Sequence, residues 1–374
     1  MKSSPSSAAA EPEVSGEDGA GAIKGRGALS NPEGRFESLA SERSDDGWPG
    51  GDGDFAAAEP ESSVLPEASR SVISRNNSPD VPFEQSINPY RGCEHGCVYC
   101  YARPTHAWLG LSPGLDFETR LFYKPDGAEQ LKVELDRPGY RCRTIVLGAN
   151  TDPYQPVERR LGITRGLLEV LAACGHPVSI VTKGSLVERD LDLLAPMAAE
   201  GLASVMVSVT TLDDGLKRIM EPRTAAPARR LATLRRLAQA GIPAGVLLAP
   251  VIPAVNEHEI EAILGACAEA GATTAAWILL RLPHEVRPLF EEWLAEHFPD
   301  RAGRVMSLLR QARGGRENDP RFGHRMRGSG AWIDTLESRF ALAARRAGLG
   351  VGERRELKTT LFRPPRTSRQ MDLL

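Results

Sequence analysis

The chain has 374 residues, of which 41% are hydrophobic and 25% charged, and its formal net charge is −3. This length and apolar content are typical of a folded soluble protein with a large core. The longest apolar runs, such as "ASVMV", are far shorter than the roughly 20 residues that span a bilayer, which argues against a membrane-spanning helix.

The opening residues, "MKSSPSSAAAEPEV", contain no apolar run of the kind found in a secretory signal. We therefore predict a cytoplasmic protein with no membrane partner. Thiols stay reduced in that compartment, so clustered cysteines are expected to bind metal or to do chemistry rather than to form a disulfide framework.

Residues 1–75 are rich in Ser, Gly, Ala, Pro and acidic side chains and show no sustained apolar period. They carry 7 basic against 14 acidic residues, which leaves 39 against 35 in the rest of the chain. A segment of this composition does not bury enough apolar surface to offset its ordering entropy. We predict a disordered acidic tail over 1–75, followed by a mildly basic body.

Half of the six cysteines follow the first predicted strand, "SINPY", within the stretch "RGCEHGCVYCYAR". Cys93, Cys97 and Cys100 have the spacing C-x3-C-x2-C, and three thiolates from one short loop can bind three irons of a [4Fe–4S] cluster. The fourth iron then has no protein ligand and is open to a substrate or cofactor. The alternative is structural zinc with His95 or His106 as the fourth ligand. The remaining cysteines, which form no second C-x2-C pair, are Cys142, Cys174 and Cys267.

From Thr144 onwards, short β-branched runs alternate with amphipathic segments that end at glycine. In "ITRGLLEVLAACG" four apolar residues share one helical face before Gly175, namely Ile163, Leu167, Val170 and Leu171. With "SINPY" included, six strands of this βα type precede Pro283. The pattern predicts an α/β fold with a partial (β/α)6 TIM-type barrel over 76–285, and an open doubly wound sheet fits it equally. Either fold places its chemistry at the carboxyl ends of the strands.

After Pro283 the pattern changes, and we predict a helical, Arg-rich extension over 286–374. Its central stretch sets only Glu317 and Asp319 against eight arginines, which are Arg301, Arg304, Arg310, Arg313, Arg316, Arg321, Arg325 and Arg327. Such a cluster, with Phe322 and Trp332 available for stacking on bases, favours contacts with nucleic-acid phosphates. The alternative is a solvated helix face and loop, which agrees with the modest charge of the body.

The pattern C-x3-C-x-aromatic-C, with Tyr99 as the aromatic, resembles the signature of the radical S-adenosylmethionine (SAM) enzymes. Its position before six βα strands resembles the partial barrel of that family. The resemblance implies a [4Fe–4S] cluster on the three clustered cysteines, with SAM bound to the open iron. It also implies reductive cleavage of SAM to a 5′-deoxyadenosyl radical that abstracts hydrogen. A flavodoxin- or ferredoxin-type partner would deliver the electron.

Further motifs narrow the resemblance over about residues 80–285. They are "YCYAR", "GANTDPYQPVE", "IVTKG", "EPRTAAPARRL" and "APVIPAVNE". Together they resemble the subgroup related to spore photoproduct lyase, also called DNA repair photolyase-like. This resemblance implies a nucleic-acid lesion or a nucleotide as substrate. A radical SAM enzyme that acts on a peptide or protein shares the same motifs and remains an alternative.

Polar residues after the strand "TIVLG" are candidate SAM ligands. Asn150, Thr151 and Asp152 end a strand, where such folds bind ligands, and their side chains suit the ribose hydroxyls and amino group of SAM. The alternative is an Asx turn begun by Asp152 and Pro153, which needs no ligand.

Three residues further along the chain are also candidate cofactor ligands. The resemblance implies that Lys183 offers a cation to the SAM carboxylate, although a lysine at a strand end is also commonly just solvated. Ser208 points to the same edge if its strand face is shared by Met206 and Thr210, and it fits a satisfied core hydroxyl as well. Arg223 lies in a motif that borders the SAM pocket in the subgroup. Its alternative is a surface salt bridge with Glu221.

Tyr99 and Tyr101 correspond, by the resemblance, to the tyrosines of spore photoproduct lyase that help to return a hydrogen atom. Shielding of the cluster is the alternative role. One departure concerns the donor cysteine of spore photoproduct lyase, since this chain has Ala149 and Asn150 at the corresponding strand end. Cys142 lies at the start of that strand and is expected at the far end of the barrel. The departure argues against photoproduct repair by the same route.

A hypothesis of a different class is a nucleic-acid-binding protein without catalysis, in which the cysteines hold zinc or a cluster that only stabilises the fold. The two hypotheses differ in cofactor behaviour. An enzyme needs an open iron and SAM, whereas a structural site is colourless zinc or a cluster indifferent to SAM.

Overall fold

The computed structural model describes residues 23–36, 62–352 and 356–365. Within these ranges the chain forms a mainly parallel β-sheet flanked by helices, which confirms the predicted α/β class. No helix in these ranges has both the length and the apolar character needed to cross a membrane.

Eleven strands occur in the described residues. In chain order they are β1 (Ser63–Pro66), β2 (Ile73–Arg75), β3 (Gln85–Ile87), β4 (Tyr90–Arg91), β5 (Arg120–Tyr123), β6 (Ile145–Leu147), β7 (Val178–Thr182), β8 (Ala203–Ser208), β9 (Ala244–Val251), β10 (Thr274–Leu279) and β11 (Gly350–Val351). Eight of them form the main sheet in the order β11-β10-β9-β8-β7-β6-β3-β2. The other three form a small sheet in the order β1-β5-β4.

The same part of the chain contains eleven α-helices. In chain order they are α1 (Asp116–Thr119), α2 (Gly127–Leu135), α3 (Glu158–Leu161), α4 (Ile163–Ala173), α5 (Leu191–Ala199), α6 (Asp214–Met220), α7 (Pro227–Gln239), α8 (Ile260–Glu269), α9 (Val286–His297), α10 (Pro299–Ala312) and α11 (Ala331–Arg346). Short 3-10 helices cover Arg103–Leu109, Ser185–Asp190 and Glu257–Glu259.

The six predicted βα strands are β3, β6, β7, β8, β9 and β10, and each pairs in parallel with the next. Because they all run in one direction, their carboxyl ends share one edge of the sheet. No ladder among the described residues joins the β10–β11 side of the sheet to the β2–β3 side. The fold is therefore a six-stranded β/α barrel of partial type, open along one side.

Helix α4 illustrates how the alternating sequence pattern becomes packing. Leu167, Val170 and Leu171 are buried against the sheet as predicted, and Ile163 is partly buried. The segment ends at Gly175, whose φ of 58° is a left-handed conformation that favours glycine. The period of the apolar residues thus predicted both the buried face and the end of this helix.

Two parts of the predicted N-terminal tail are ordered. Residues 62–75 include β1 and β2, and β2 pairs with β3 in the antiparallel direction. In residues 23–36, the amides of Gly27 and Ala28 donate to the carboxylate of Glu118 at 3.1 and 2.9 Å. These stretches depart from the prediction of disorder, because their order comes from contacts with residues far along the chain. The other residues of 1–75 lie outside the described residues.

The region after Pro283 is mainly helical, as predicted, and shares a core with the barrel. Trp293 of α9 is fully buried, and its indole Nε1 donates to the carbonyl of Ile219 at 3.0 Å. The region also supplies β11, in which Gly350 pairs with Thr274 at the edge of the main sheet. This extension therefore completes the sheet in addition to packing helices against it.

Several arginines of the extension have partners that lie outside the Arg-rich stretch or in the main chain. Arg325 pairs with Asp80, which lies between β2 and β3, and Arg327 lies 3.5 Å from Glu337. Arg313 is buried and donates to main-chain carbonyls, so it does not face solvent. Folding thus brings carboxylates from outside the Arg-rich stretch, Asp80 and Glu337, to two of its arginines.

Candidate active site

The loop that carries Cys93, Cys97 and Cys100, here called the cysteine loop, follows β4 at the carboxyl edge of the parallel strands. Gly92 and Gly96 adopt φ values of 76° and 66°, in the left-handed region that favours glycine. A Cβ at Gly92 would lie 2.7 Å from the Leu121 side chain and 2.9 Å from the carbonyl oxygen of Phe117. The two glycines therefore let the loop turn tightly against α1 and β5.

The three clustered cysteines are free thiols; Cys93 and Cys97 are buried and Cys100 is partly buried. Burial, together with Asp152 and the other two thiols, raises the pKa of Cys93 well above its usual range. Burial also raises the pKa of Cys97 to about 12, and Lys183 acts against this increase. Such thiols are expected to become thiolates only when a cation binds them, as metal ligation does.

A site for a single metal ion and a [4Fe–4S] cluster need different arrangements of donors. No group of three or more His, Cys, Asp and Glu side chains in the described ranges is close enough together for one metal ion. His95 Nδ1 lies 3.3 Å from Asp152, and His106 Nε2 contacts the carbonyl of Arg120 at 2.9 Å. In a four-iron cluster each thiolate takes a separate iron. Both candidate histidines already have partners inside the protein, so the loop offers three thiols, which is the number that a [4Fe–4S] cluster with one open iron takes.

The two predicted tyrosines lie in different environments. Tyr99 is buried, and its hydroxyl donates to the carboxylate of Glu221. Tyr101 is 44% exposed, and its hydroxyl donates to the carbonyl of Ala149 in the loop after β6. Tyr99 is thus held inside the protein, whereas Tyr101 is accessible to a molecule that arrives from solvent.

Asp152 is bonded inside the protein. Its Oδ1 accepts hydrogen bonds from the Tyr154 amide at 2.8 Å and the Thr182 hydroxyl at 2.7 Å, and its Oδ2 accepts one from the Lys183 amide at 2.7 Å. Burial by itself raises the pKa of Asp152, but His95 and these hydrogen bonds lower it to about 2. The bond from Tyr154 forms the Asx turn that was the alternative to ligand binding. The carboxylate thereby ties the loop after β6 to the loop after β7.

Asn150 and Thr151, which precede Asp152, differ in whether their side chains form hydrogen bonds. The Thr151 hydroxyl donates to the carbonyl of Tyr90 at 2.7 Å. The Asn150 amide N–H of the main chain donates to Asn88 Oδ1 at 2.9 Å, and the Asn150 side chain makes no hydrogen bond to the described residues. Of the polar residues after β6, Asn150 therefore has its side-chain amide available to a ligand.

Lys183 and Ser208 also end neighbouring strands. Lys183 is half-buried, its Nζ lies 5.8 Å from the centre of the Tyr99 ring, and no carboxylate of the described residues pairs with it. Ser208 is buried, and its hydroxyl donates to the carbonyl of Ala249 at 3.4 Å. Lys183 thus presents a cation beside the cysteines, while Ser208 has the contact expected of a core hydroxyl.

The surface pair of Glu221 with Arg223, the alternative given for this motif, does not form. Glu221 is fully buried and pairs with Arg230, which holds the pKa of Glu221 at about 2 despite the opposing effect of burial. Arg223 instead lies 3.3 Å from Glu94, a residue of the cysteine loop, and this side chain is about one third exposed. The motif therefore attaches the segment after α6 to the cysteine loop through two contacts, Arg223 with Glu94 and Glu221 with Tyr99.

One buried ion pair beside the cysteine loop had no clear sequence signal. Arg103 and Glu118 are both fully buried and pair with each other. Arg103 also donates to the carbonyl of Cys97 at 3.0 Å. Arg103 belongs to the motif "YCYAR", which contributed to the family resemblance but gave no indication of a buried ion pair. Nothing in the sequence near Glu118 indicated that it would be the partner of Arg103.

Comparisons with known sequences cover the same part of the chain. The sequence model of the radical SAM superfamily matches residues 87–267, from β3 into α8. An uncharacterised protein of Mycobacterium tuberculosis is 41% identical over 237 residues, which are 63% of this chain and 70% of the relative. An uncharacterised protein of Methanocaldococcus jannaschii is 25% identical over 214 residues, which are 57% of this chain and 76% of the relative.

Solved structures of spore photoproduct lyase share the fold. The structure complexed with dinucleoside spore photoproduct has a TM-score of 0.55 at 17% identity and covers 77% of this chain and 81% of that one. A variant with bound AdoMet and dinucleoside spore photoproduct has a TM-score of 0.51 at 17% identity, with coverage of 77% and 80%. At these identities the likeness is one of fold. The superfamily match across the cysteine loop and the strands behind it shows that the chain belongs to the radical SAM superfamily of enzymes.

Proposed function

We propose that this enzyme cleaves SAM reductively at a [4Fe–4S] cluster and abstracts a hydrogen atom from a nucleic-acid lesion or a nucleotide. The observation that carries the proposal is three free cysteines in one loop at the carboxyl edge of six parallel strands, within the region that the superfamily model matches. When bound, the cluster and SAM supply the electron transfer and the carbon-centred radical. A flavodoxin- or ferredoxin-type protein is the proposed electron donor.

The proposed cluster ligands are Cys93, Cys97 and Cys100. Two of them are buried, so the protein keeps water away from the thiolates once metal has bound. Arg103 supports this geometry, because it donates to the carbonyl of Cys97 while its charge is neutralised by Glu118. The buried pair of Arg103 and Glu118 thus stabilises the conformation of the loop.

The proposed SAM site lies where the loops after β6, β7 and β8 meet the cysteine loop. Lys183 would attract the SAM carboxylate, Asn150 has a side-chain amide available, and Arg223 reaches the cysteine loop from the segment between α6 and α7. The remaining candidates, Thr151, Asp152 and Ser208, already hydrogen-bond within the protein. We propose that these three shape the pocket rather than reach the cofactor directly.

The tyrosines have separate proposed roles. Tyr101 is exposed at the edge of the site, which supports a part in returning a hydrogen atom to the product. Tyr99 is held by Glu221 inside the protein, which supports a positioning and shielding role. Because Ala149 and Asn150 stand where spore photoproduct lyase has its donor cysteine, the hydrogen donor on the product side differs from that enzyme.

The first experiment measures cofactor content and SAM cleavage. Protein purified and reconstituted without oxygen is analysed for iron, sulfide and zinc, and 5′-deoxyadenosine is quantified after addition of SAM and dithionite. We expect about four iron and four sulfide per chain and formation of 5′-deoxyadenosine. Cys97→Ser should abolish cleavage, and Cys142→Ser, at the opposite edge of the sheet, should not. Zinc in place of iron, or a full cluster without SAM cleavage, would overturn the proposal.

A further inference from the structure

Arg281 follows β10 at the same edge of the sheet as the cysteine loop and is half-buried. Its guanidinium carbon lies 5.6 Å from the centre of the Tyr101 ring. Among the described residues its Nη1 hydrogen-bonds only the thioether sulfur of Met326, at 3.8 Å, and its Nε is buried without a hydrogen-bond partner. No carboxylate of the described residues forms an ion pair with it. A desolvated guanidinium with unmet donors is costly unless a ligand satisfies it.

Asp80, a carboxylate whose charge acts on Arg281, is already paired with another arginine. Asp80 accepts two hydrogen bonds from Arg325, at 2.6 and 2.7 Å. Arg313, also nearby, is buried and donates to the carbonyls of Leu280 and Arg325 at 2.6 and 3.3 Å. Burial and the charge of Arg325 both lower the pKa of Arg281. Arg281 therefore lies near two further guanidinium groups, those of Arg313 and Arg325, and the three together carry more positive charge than Asp80 neutralises.

This spot lies at the open side of the barrel. Tyr101 belongs to the loop that follows the first strands of the barrel, and Arg281 follows β10, the last of its six parallel strands. The contact between Tyr101 and Arg281 thus connects the two sides of the opening. The ion pair between Asp80 and Arg325 connects the same two sides, since Asp80 lies between β2 and β3. Arg281 therefore lies beside the cysteine loop on this side of the barrel.

We propose that Arg281 binds a phosphate group of a nucleic-acid substrate at this opening, a proposal that rests on the proposed function. A guanidinium fork matches two phosphate oxygens, and the surrounding cations reinforce a charge that has no internal anion. Tyr101 and Phe322 are 44% and 54% exposed, and Phe322 lies under Arg325 at 4.8 Å from its ring centre. Exposed aromatic rings beside arginines suit the stacking of bases, which a peptide carboxylate would not use. Phosphate is therefore favoured over a carboxylate.

The test measures binding of a fluorescein-labelled single-stranded DNA oligonucleotide to the anaerobically reconstituted enzyme by anisotropy, over a series of salt concentrations. We compare Arg281→Gln and Arg281→Lys with Arg235→Gln, an exposed arginine at the opposite end of α7 from the carboxyl edge. We expect Arg281→Gln to weaken binding about tenfold. The slope of log Kd against log salt should also fall by about 0.7, the value for one single-strand phosphate contact. Arg281→Lys should retain part of the affinity, and Arg235→Gln should retain all of it.

Several outcomes would overturn the inference. Equal affinities for Arg281→Gln and Arg235→Gln, or no binding of DNA by the unchanged enzyme, would remove Arg281 as a phosphate site. Binding of a labelled Glu-rich peptide that depends on Arg281, without dependence for DNA, would assign the site to carboxylates instead. Iron content and cleavage of SAM are measured on the same preparations. If the iron content or the cleavage of SAM is lost, the proposed chemistry is wrong. If both are normal and only the DNA binding differs from the expected result, the phosphate site alone is wrong.

Discussion

Gly27 lies directly against the cysteine loop, because a Cβ built on it would come 1.8 Å from the carbonyl oxygen of Gly96. The Gly27 amide is held in place by the carboxylate of Glu118. A segment more than sixty residues before the cysteines therefore forms one wall of the proposed cluster site.

We expect Gly27→Ala to displace either residues 23–36 or the cysteine loop. The reason is that the added methyl group meets main-chain atoms of Gly96, which have no rotamer to change. The free energy of unfolding should fall by about 1–3 kcal/mol, and the iron retained after brief exposure to air should decrease. Chemical denaturation and iron analysis measure the two effects. Gly303→Ala, with open space around its Cβ in α10, is the control, and equal iron retention in both variants would contradict the prediction.

Glu118→Gln should be strongly destabilising. The change leaves Arg103 as a buried charge without its anion, and loss of one partner of a buried ion pair costs about 3–5 kcal/mol. Denaturant titration of the reconstituted protein measures this effect. Glu129→Gln removes an exposed partner of Lys132 on α2 and should change stability by less than about 0.5 kcal/mol. If the two variants had the same stability, the buried pair would not support the loop as described.

The two tyrosines should respond differently to loss of their hydroxyl groups. Tyr99→Phe removes a hydrogen bond to the buried carboxylate of Glu221 and should lower the free energy of unfolding by about 1–2 kcal/mol. Tyr101→Phe removes a bond at an exposed position and should cost less than about 0.5 kcal/mol. The comparison is made by denaturant titration of both variants. A larger loss for Tyr101→Phe would reverse the assignment of the buried positioning role.

Lys183→Met should weaken SAM binding to the reconstituted enzyme. If its Nζ pairs with the SAM carboxylate, the loss of a charged hydrogen bond corresponds to about tenfold in Kd. Isothermal titration calorimetry with SAM, without a reductant, measures binding apart from cleavage. Lys132→Met removes a lysine from α2, away from the carboxyl edge, and should leave Kd unchanged. Unchanged affinity in Lys183→Met would exclude the proposed contact.

His176 should make stability depend on pH. Burial lowers the pKa of His176 to about 4, because the ring is enclosed near Tyr140 and Phe362. In the unfolded chain a histidine has a pKa of about 6.5, so below that pH the unfolded chain binds more protons than the folded protein does. The contribution of His176 to the free energy of unfolding is therefore complete above about pH 6.5 and decreases as the pH falls below it. The expected loss is about 2 kcal/mol between pH 8 and pH 5. Denaturant titrations of the unchanged protein and of His176→Gln test this, since the variant should lack that part of the pH dependence.

The sequence by itself determined the class of fold and the group of three cysteines. The alternation of β-branched runs with amphipathic segments is a local property, and it predicted six parallel strands and the edge at which the chemistry lies. The cysteine spacing and the motifs around it are equally local. They predicted a superfamily to which the chain belongs.

The tertiary structure alone decided which polar groups are available and which are occupied. Asp152 is bonded to His95 and Thr182, and Glu221 to Arg230, so neither carboxylate is free for a ligand. Arg281 has a buried Nε without a hydrogen-bond partner, while Arg325 pairs with the carboxylate of Asp80. Apart from Glu221 and Arg230, these pairs join residues far apart in the chain, and a side chain's neighbours across such separations depend on packing rather than on sequence period. Local patterns therefore predicted where the site lies, and long-range packing decided which of its residues remain free to act.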